Sequence, residues 1–288
     1  MTYLRTLIIL MLLLAGSALA EPWYPWQHDN NSLDTIATRF SPPAGFQRSQ
    51  EPIGSFADWL RHLPLKPEDS SVHLYNGNLK PNQHVHCAVV DIDTGNNDLQ
   101  QCADAVMRLR AEYLYSRNAY QRIHFNFTSG DRASYERWRQ GYRPVVRGNR
   151  VSWKNSASDD DSYNNFRSYL DSVFMYAGTW SLSQELVPRR RLSDLSIGDV
   201  FIKGGFPGHA VIVVDMAIEP ETGDKVFMLA QSYMPAQDIH VLKNPKSVDG
   251  SPWYQLPRNG VLETPEWTFK TSELKSFGDV PTRLTGLE

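Results

Sequence analysis

The chain has no large excess of charge of either sign, only two cysteines, and almost no long apolar run. Its net charge is −3 over 288 residues, and the basic residues are spread along the chain. This balance argues against nucleic acid as a partner, because nucleic-acid-binding proteins concentrate positive charge on one surface. After residue 20 no segment is apolar enough to cross a membrane, so no integral membrane segment is predicted beyond the N-terminus.

The one apolar run, Leu7 to Leu14, follows Arg5 and precedes Ala18 and Ala20. A short positive region, an apolar centre and an Ala-x-Ala site are typical of a secretory signal peptide. We therefore predict a signal peptide over residues 1–20 and a mature protein that is periplasmic or secreted. For the rest we predict an extended N-terminal arm over 21–50 and a single α+β domain over 51–288.

The two cysteines are Cys87 and Cys102. In an oxidising compartment a disulfide between them is one interpretation, and it would stabilise the fold by roughly 3 kcal/mol. The other interpretation leaves a free, reactive thiol. Cys102 lies near the start of a helix that the apolar spacing predicts from about residue 98 to 115, capped by Asn96 or Asn97. The dipole and free amides of a helix start lower the pKa of a thiol.

Two other features bear on ligands. His84 and His86 share one face of a predicted strand, but two imidazoles without a third ligand are a weak zinc pattern, so no metal and no cofactor are predicted. Aromatic residues make up 11% of the chain, with eight tryptophans. Such a content indicates a sizeable core, or a groove lined with rings of the kind that binds sugars or peptides.

The most informative stretch runs from Leu195 to Asp215 and predicts two strands joined by a glycine-rich turn. Residues 210–214 are an unbroken apolar run, short enough for a strand that is buried on both faces. His209 lies where the loop becomes this strand. A rigid strand behind the imidazole and a groove in front of it suit a general base, although a capping or core histidine would give the same pattern.

The order of elements from Asp161 to Ser232 resembles the core of papain-like cell-wall hydrolases, the NlpC-type and amidase-type cysteine peptidases. The order is an acidic cap, an amphipathic helix, a Gly-Asp-Val-Phe strand, a Gly-His strand and a polar-ended strand. The whole chain also resembles an uncharacterised family of secreted bacterial proteins. The resemblance implies an α+β fold with a papain-like core over 159–235, in which a helix packs on a small antiparallel sheet.

In the resembled hydrolases a cysteine starts the helix, the Gly-His strand supplies the base, and a polar residue on the next strand orients the histidine. His209 matches the base, and Gln231 or Ser232 matches the orienting position. The cysteine is replaced by Ser162. Three interpretations follow: Ser162 acts itself, Cys102 reaches the groove from the earlier helix, or the chain has no nucleophile.

Two functions remain as hypotheses. The first is a hydrolase of amide or ester bonds, with cell-wall peptides or glycopeptides as substrate by resemblance. Helix-start amides, with Gln100 or Gln101, would then stabilise the oxyanion. The second is a catalytically silent binding protein of the cell envelope. A weaker third is a structural envelope protein held by a disulfide.

Overall fold

The computed structural model describes residues 22–27 and 34–278, so the predicted signal peptide lies outside the described residues. Within this part of the chain there are six α-helices. They are α1 (Ile36–Arg39), α2 (Phe56–Arg61), α3 (Cys102–Ser116), α4 (Tyr135–Arg139), α5 (Tyr163–Tyr176) and α6 (Thr179–Glu185). Short 3-10 turns occupy Tyr120–Arg122, Leu192–Asp194 and Thr271–Glu273. None of the helices described here is long and apolar enough to span a bilayer.

Nine of the strands in the described residues form one sheet. They are β1 (Gln47–Arg48), β2 (His86–Val89), β7 (Val187–Pro188), β8 (Val200–Lys203), β9 (His209–Ile218), β10 (Lys225–Gln231), β11 (His240–Leu242), β12 (Tyr254–Gln255) and β15 (Leu274–Ser276). The remaining strands pair as three small hairpins: β3 (His124–Asn126) with β4 (Arg132–Ser134), β5 (Tyr142–Arg147) with β6 (Arg150–Asn155), and β13 (Val261–Glu263) with β14 (Thr268–Lys270).

The main path of the large sheet runs β2-β11-β10-β9-β8-β15-β7, with β1 added to β9 and β12 added to β10. The pairings given for it are antiparallel. The long central strand β9 is buried along its whole length except at Ile218, and helices α1, α2 and α3 pack against it. The structure therefore confirms the predicted strand after His209 and the predicted turn before it.

Helix α3 crosses β9 and β10 and is the longest helix of the described chain. It begins at Cys102, four residues later than the spacing predicts, because the preceding residues are held in another conformation. Asp98 accepts a hydrogen bond from the backbone N–H of Ala236 at 2.7 Å. The N–H of Gln101 donates a hydrogen bond to Asp104 Oδ2 at 3.0 Å. Cys102 consequently occupies the first helical turn, where backbone N–H groups have no partner within the helix.

The fold is mixed α/β with mostly antiparallel strands. The helix that packs on the Gly-His strand is not the one that the papain-like resemblance predicts. The helix that follows the acidic cap is α5, and it packs against α4. Its apolar face carries Phe166 and Tyr169, whose rings meet Tyr115 and Tyr135. This aromatic cluster draws α5 away from the Gly-His strand. The helix on that strand is α3, which lies outside the predicted 159–235 core.

The segment predicted as an extended arm contains α1 and β1, and its Tyr24 is buried. Strand β1 pairs with the end of β9, where Arg48 and Arg61 form ion pairs with the fully buried Asp215 at 2.8 and 2.9 Å. Removing the Asp215 carboxylate would leave the buried Arg61 without its ion-pair partner, which costs about 3–5 kcal/mol. These pairs connect the N-terminal segment to the centre of the sheet.

Candidate active site

A cleft of about 490 Å³ opens where α3 and β9 begin. Its walls come from the start of α3, from the glycine-rich loop before β9 and from the turn between α5 and α6. Cys102 and His209 both line it, whereas Ser162 does not. The structure thus brings together the thiol and the imidazole that the sequence placed 107 positions apart.

The Cys102 sulfur lies among backbone amides at the start of α3. The N–H groups of Ala103 and Ala210 are close enough to favour the thiolate, and Ala210 is the neighbour of His209. Burial outweighs these amides and, with the nearby Asp104, raises the pKa of the thiol to about 11. The resting thiol is therefore protonated at neutral pH. Gln101 also lines the cleft, but Gln100 does not. The side-chain oxygen Oε1 of Gln100 accepts a hydrogen bond from Arg108 at 2.7 Å.

His209 is the first residue of β9 and is 1% exposed. Its ring packs among Tyr233, Trp267 and Phe269, at centroid distances of 4.9, 5.4 and 5.7 Å. Burial lowers the pKa of the imidazole to about 4, although the hydrogen bond to Gln231 opposes this. The ring is neutral at pH 7 and can accept a proton on one nitrogen.

The loop before His209 approaches α6 so closely that it requires glycine. A Cβ placed on Gly208 would lie 2.3 Å from Thr179 Oγ1 and 2.6 Å from the carbonyl oxygen of Lys203. Thr179 in turn donates a hydrogen bond to the carbonyl of Gly205 at 3.1 Å. The glycines of this segment thus let the chain turn tightly against the helix and deliver His209 to the cleft.

Of the two residues proposed to orient the histidine, Gln231 is the one that contacts it. His209 Nε2 lies 2.8 Å from Gln231 Oε1, so Nε2–H donates and Nδ1 is left as the acceptor. Ser232 points the other way. Its hydroxyl lies 3.0 Å from the Gln100 carbonyl and 2.8 Å from that of Gln237, and it ties the loop before Cys102 to the sheet.

Three residues that the sequence analysis did not single out complete this network. Glu266 accepts a hydrogen bond from Gln231 Nε2 at 2.8 Å, and Lys80 forms an ion pair with Glu266 at 2.7 Å. His240 Nε2 lies 3.4 Å from the same Gln231 nitrogen. Lys80 and Glu266 come from loops with no periodic pattern, so local sequence carries no signal for them.

Ser162 caps α5 instead of facing the cleft. Its Oγ accepts a hydrogen bond from the Asn165 N–H at 3.2 Å, and its side chain is exposed. A serine used as an N-cap satisfies a helix amide that has no other partner. The sequence around Ser162 has the acidic cap and the helix on which the resemblance is based. The imidazole of His209, however, lines a cleft that Ser162 does not line.

Cys87 and Cys102 are both free thiols in the structure, in different clefts. Cys87 lies on β2 and contacts the Gly250 carbonyl at 3.2 Å, and burial raises its pKa to about 11. His86 contacts the Ser70 carbonyl at 3.1 Å, and His84 precedes the strand. Among residues 22–27 and 34–278, no group of three or more His, Cys, Asp or Glu side chains is placed to hold a metal ion.

The site is that of a mixed α/β protein with a cysteine at a helix start, a histidine at a strand start and a glutamine on the adjacent strand. A comparison with protein families matches residues 36–276 to the family described as a domain of unknown function (4846). The chain belongs to this family. No curated protein and no solved structure matches the chain.

Proposed function

We propose that the protein is a thiol hydrolase of amide or ester bonds, with Cys102 as nucleophile, His209 as general base and Gln231 as the residue that orients the base. The observation that carries the proposal is that Cys102 and His209 line one cleft, while Gln231 Oε1 accepts the hydrogen bond from Nε2 of the imidazole. Such an arrangement leaves Nδ1 to receive a proton, which is the division of roles in a papain-like triad.

In the proposed reaction, Cys102 Sγ attacks the substrate carbonyl carbon while its proton passes to His209 Nδ1. The negative charge moves to the carbonyl oxygen, where amides at the start of α3 stabilise it. His209 then returns the proton to the leaving nitrogen or oxygen, the bond to that atom breaks, and a thioester forms. Water hydrolyses the thioester with His209 again taking a proton, and the free thiol is restored.

The resting charges favour this general-base route over a preformed ion pair. Burial holds the thiol pKa near 11 and the imidazole pKa near 4, so both groups are neutral at pH 7. Proton transfer accompanies the attack instead of preceding it. By resemblance to the cell-wall hydrolases the proposed substrates are envelope peptides or glycopeptides, which fits the proposed periplasmic or secreted location.

The same neutral pair also favours a second candidate function, a catalytically silent binding protein. A thiol with a pKa near 11 is a weak nucleophile unless a base removes its proton. The cleft would then hold a peptide without cleaving it. The two functions differ in whether His209 increases the reactivity of Cys102, and this difference is measurable.

The test combines alkylation of Cys102 by iodoacetamide, followed by mass spectrometry, with hydrolysis of cell-wall peptides and p-nitrophenyl esters. Cys102→Ala and His209→Ala are each expected to abolish hydrolysis in a folded protein, and Cys87→Ala is the matched thiol control. Ser162→Asn keeps the helix cap and removes the hydroxyl, so it is expected to leave activity unchanged. Full activity in His209→Ala would falsify the assignment. Activity lost in Ser162→Asn and kept in Cys102→Ala would assign the nucleophile to Ser162.

A further inference from the structure

We propose that Lys80, Glu266 and His240 are positioning residues that fix the tautomer of His209 by holding the Gln231 amide in a single orientation. We refer to these three residues as the amide clamp. The inference rests on the proposed function, because a tautomer matters for catalysis only if His209 is the base. The hydrogen-bond network itself stands on geometry that is independent of any reaction.

The orientation of the Gln231 amide follows from the partners of its nitrogen. Glu266 Oε2 lies 2.8 Å from Gln231 Nε2, and an ionised carboxylate can only accept hydrogen bonds. The NH₂ group must therefore face Glu266, and the amide oxygen must face His209. Since an oxygen cannot donate, His209 Nε2 carries the hydrogen and Nδ1 carries the lone pair.

His240 independently supports the same orientation. Its Nδ1 lies 2.9 Å from the Asp238 carbonyl, which can only accept, so Nδ1 carries a hydrogen. The other ring nitrogen, Nε2, is then an acceptor, and it faces the second hydrogen of the Gln231 NH₂ group at 3.4 Å. The ring is fully buried, and burial lowers its pKa to about 3, which keeps Nε2 unprotonated at neutral pH.

Lys80 fixes the carboxylate on which the orientation depends. Its ammonium lies 2.7 Å from Glu266 Oε1 and 5.1 Å from the centroid of the Tyr233 ring, and the residue is only 5% exposed. An ammonium has three donors and no acceptor, so it requires an oxygen at the position that faces it. Lys80 and Gln231 thus take one oxygen each from the same carboxylate. Lys80 can never face an NH₂ group, and Gln231 can face one only if its own amide rotates.

This division of the two oxygens predicts the effect of Glu266→Gln. Lys80 keeps the remaining oxygen, so the new NH₂ group faces Gln231. Gln231 Nε2 lies closer to residue 266 (2.8 Å) than to His240 Nε2 (3.4 Å), so the contact with residue 266 is expected to decide the outcome. The Gln231 amide then rotates to offer its oxygen to residue 266 and its NH₂ group to His209 Nε2. His209 would become the Nδ1–H tautomer, which cannot take a proton from Cys102 at Nδ1. A wrong histidine tautomer in a catalytic triad is very costly, so we expect Cys102 alkylation to slow at least ~10-fold.

A second substitution is expected to reverse this effect. Lys80→Met removes the ammonium group that needs a hydrogen-bond acceptor at residue 266. In Lys80→Met/Glu266→Gln the side-chain amide of residue 266 can therefore turn its oxygen back to Gln231. The double variant is therefore expected to recover the wild-type tautomer and most of the alkylation rate. A loss caused by damaged packing would instead grow when the second residue is changed. The exposed pair Lys246 and Glu263, at 3.2 Å, supplies the matched control substitutions of the same types.

The tautomers are read directly by long-range ¹H–¹⁵N NMR of protein labelled with ¹⁵N-histidine, with the His209 and His240 signals identified from His209→Ala and His240→Gln. Wild type is expected to show His209 as Nε2–H and His240 as Nδ1–H, both neutral from pH 6 to pH 8. The wild-type tautomers are thus obtained whether or not Glu266→Gln folds. A wild-type Nδ1–H signal for His209, or an unchanged tautomer in Glu266→Gln, overturns the proposal.

The two readouts separate this inference from the proposed function. A tautomer change in Glu266→Gln that is reversed in the double variant supports the amide clamp, whatever happens to Cys102. If the alkylation rate stays constant while the tautomer changes, the amide clamp stands and His209 is not the base for Cys102. If the rate falls with no change of tautomer, the amide clamp is wrong and the proposed function remains.

Discussion

Asp104→Asn is expected to change how the stability of the protein depends on pH. Asp104 is 6% exposed, and its Oδ1 has no hydrogen-bond partner among the described residues. Burial raises the pKa of its carboxyl from 3.8 to about 8. Between these values the folded protein keeps a proton that the unfolded chain releases. The contribution of Asp104 to the free energy of unfolding is therefore largest below pH 3.8 and falls as pH rises toward 8.

The size of the effect follows from the linkage. One proton held only by the folded state changes the free energy of unfolding by about 1.4 kcal/mol per pH unit, or roughly 3 kcal/mol between pH 5 and pH 7. Asparagine cannot ionise but still offers an oxygen to the Gln101 N–H, so this contribution disappears in the variant. Its NH₂ group gains no partner on the other side, which costs about 1–3 kcal/mol at every pH.

The assay is urea unfolding of wild type and Asp104→Asn at pH 5, 6 and 7, with Glu263→Gln as an exposed carboxylate control. The difference between wild type and Asp104→Asn should shift in favour of the variant as pH rises. Alkylation of Cys102 gives a second readout: it should be faster in the variant at pH 9, where the Asp104 charge raises the thiol pKa, and equal at pH 6. Parallel stability curves from pH 5 to pH 7 would refute the reasoning.

Three further predictions concern the surroundings of the site. Arg108→Met is expected to lower the free energy of unfolding by about 3–5 kcal/mol, because it leaves the fully buried Glu112 carboxylate without its ion pair at 2.9 Å. Gly208→Ala is expected to lower the thermal midpoint and to slow Cys102 alkylation, because the added Cβ forces the loop before His209 away from Thr179. Unfolded, unreduced protein is expected to take up two equivalents of iodoacetamide per chain, since both cysteines are free thiols.

Each of these predictions has a control within the chain. Arg191→Met breaks an exposed ion pair and should leave stability nearly unchanged, and a loss equal to that of Arg108→Met would contradict the first prediction. Gly178 has extended backbone and no atom within 4 Å of an added Cβ, so Gly178→Ala should keep the wild-type thermal midpoint. Uptake of iodoacetamide only after reduction would show a disulfide.

The parts of the site that follow from local pattern could be predicted from the sequence. The apolar run after His209 and the glycines before it are sufficient to predict a strand with an imidazole at its start. The choice between Gln231 and Ser232 was not predictable, because the β9–β10 pairing shifts register between Met228 and Leu229. A shift of one residue reverses which side chains share a face, and no sequence pattern marked this one.

For the nucleophile and the amide clamp, a different factor limits what can be predicted from the sequence. The spacing correctly placed Cys102 near a helix start. The tertiary contact of Asp98 and the local capping hydrogen bond of Asp104 decide that the helix begins at the cysteine itself. The resemblance directed attention to α5, whose aromatic face belongs to another cluster. Lys80 and Glu266 lie 186 residues apart in loops. Only folding brings Lys80 and Glu266 together beside the Gln231 amide.

That separation has a consequence for the growing polypeptide. The thiol is synthesised before the imidazole, and Glu266 follows both of them. A chain interrupted ahead of Glu266 would carry Cys102 and His209 but would lack the carboxylate that is proposed to orient the Gln231 amide toward His209. Under the proposed mechanism the sulfur would lack a competent proton acceptor during synthesis until nearly the last described strand has been added, so the proposed hydrolase would not attack neighbouring polypeptides before its own folding is complete.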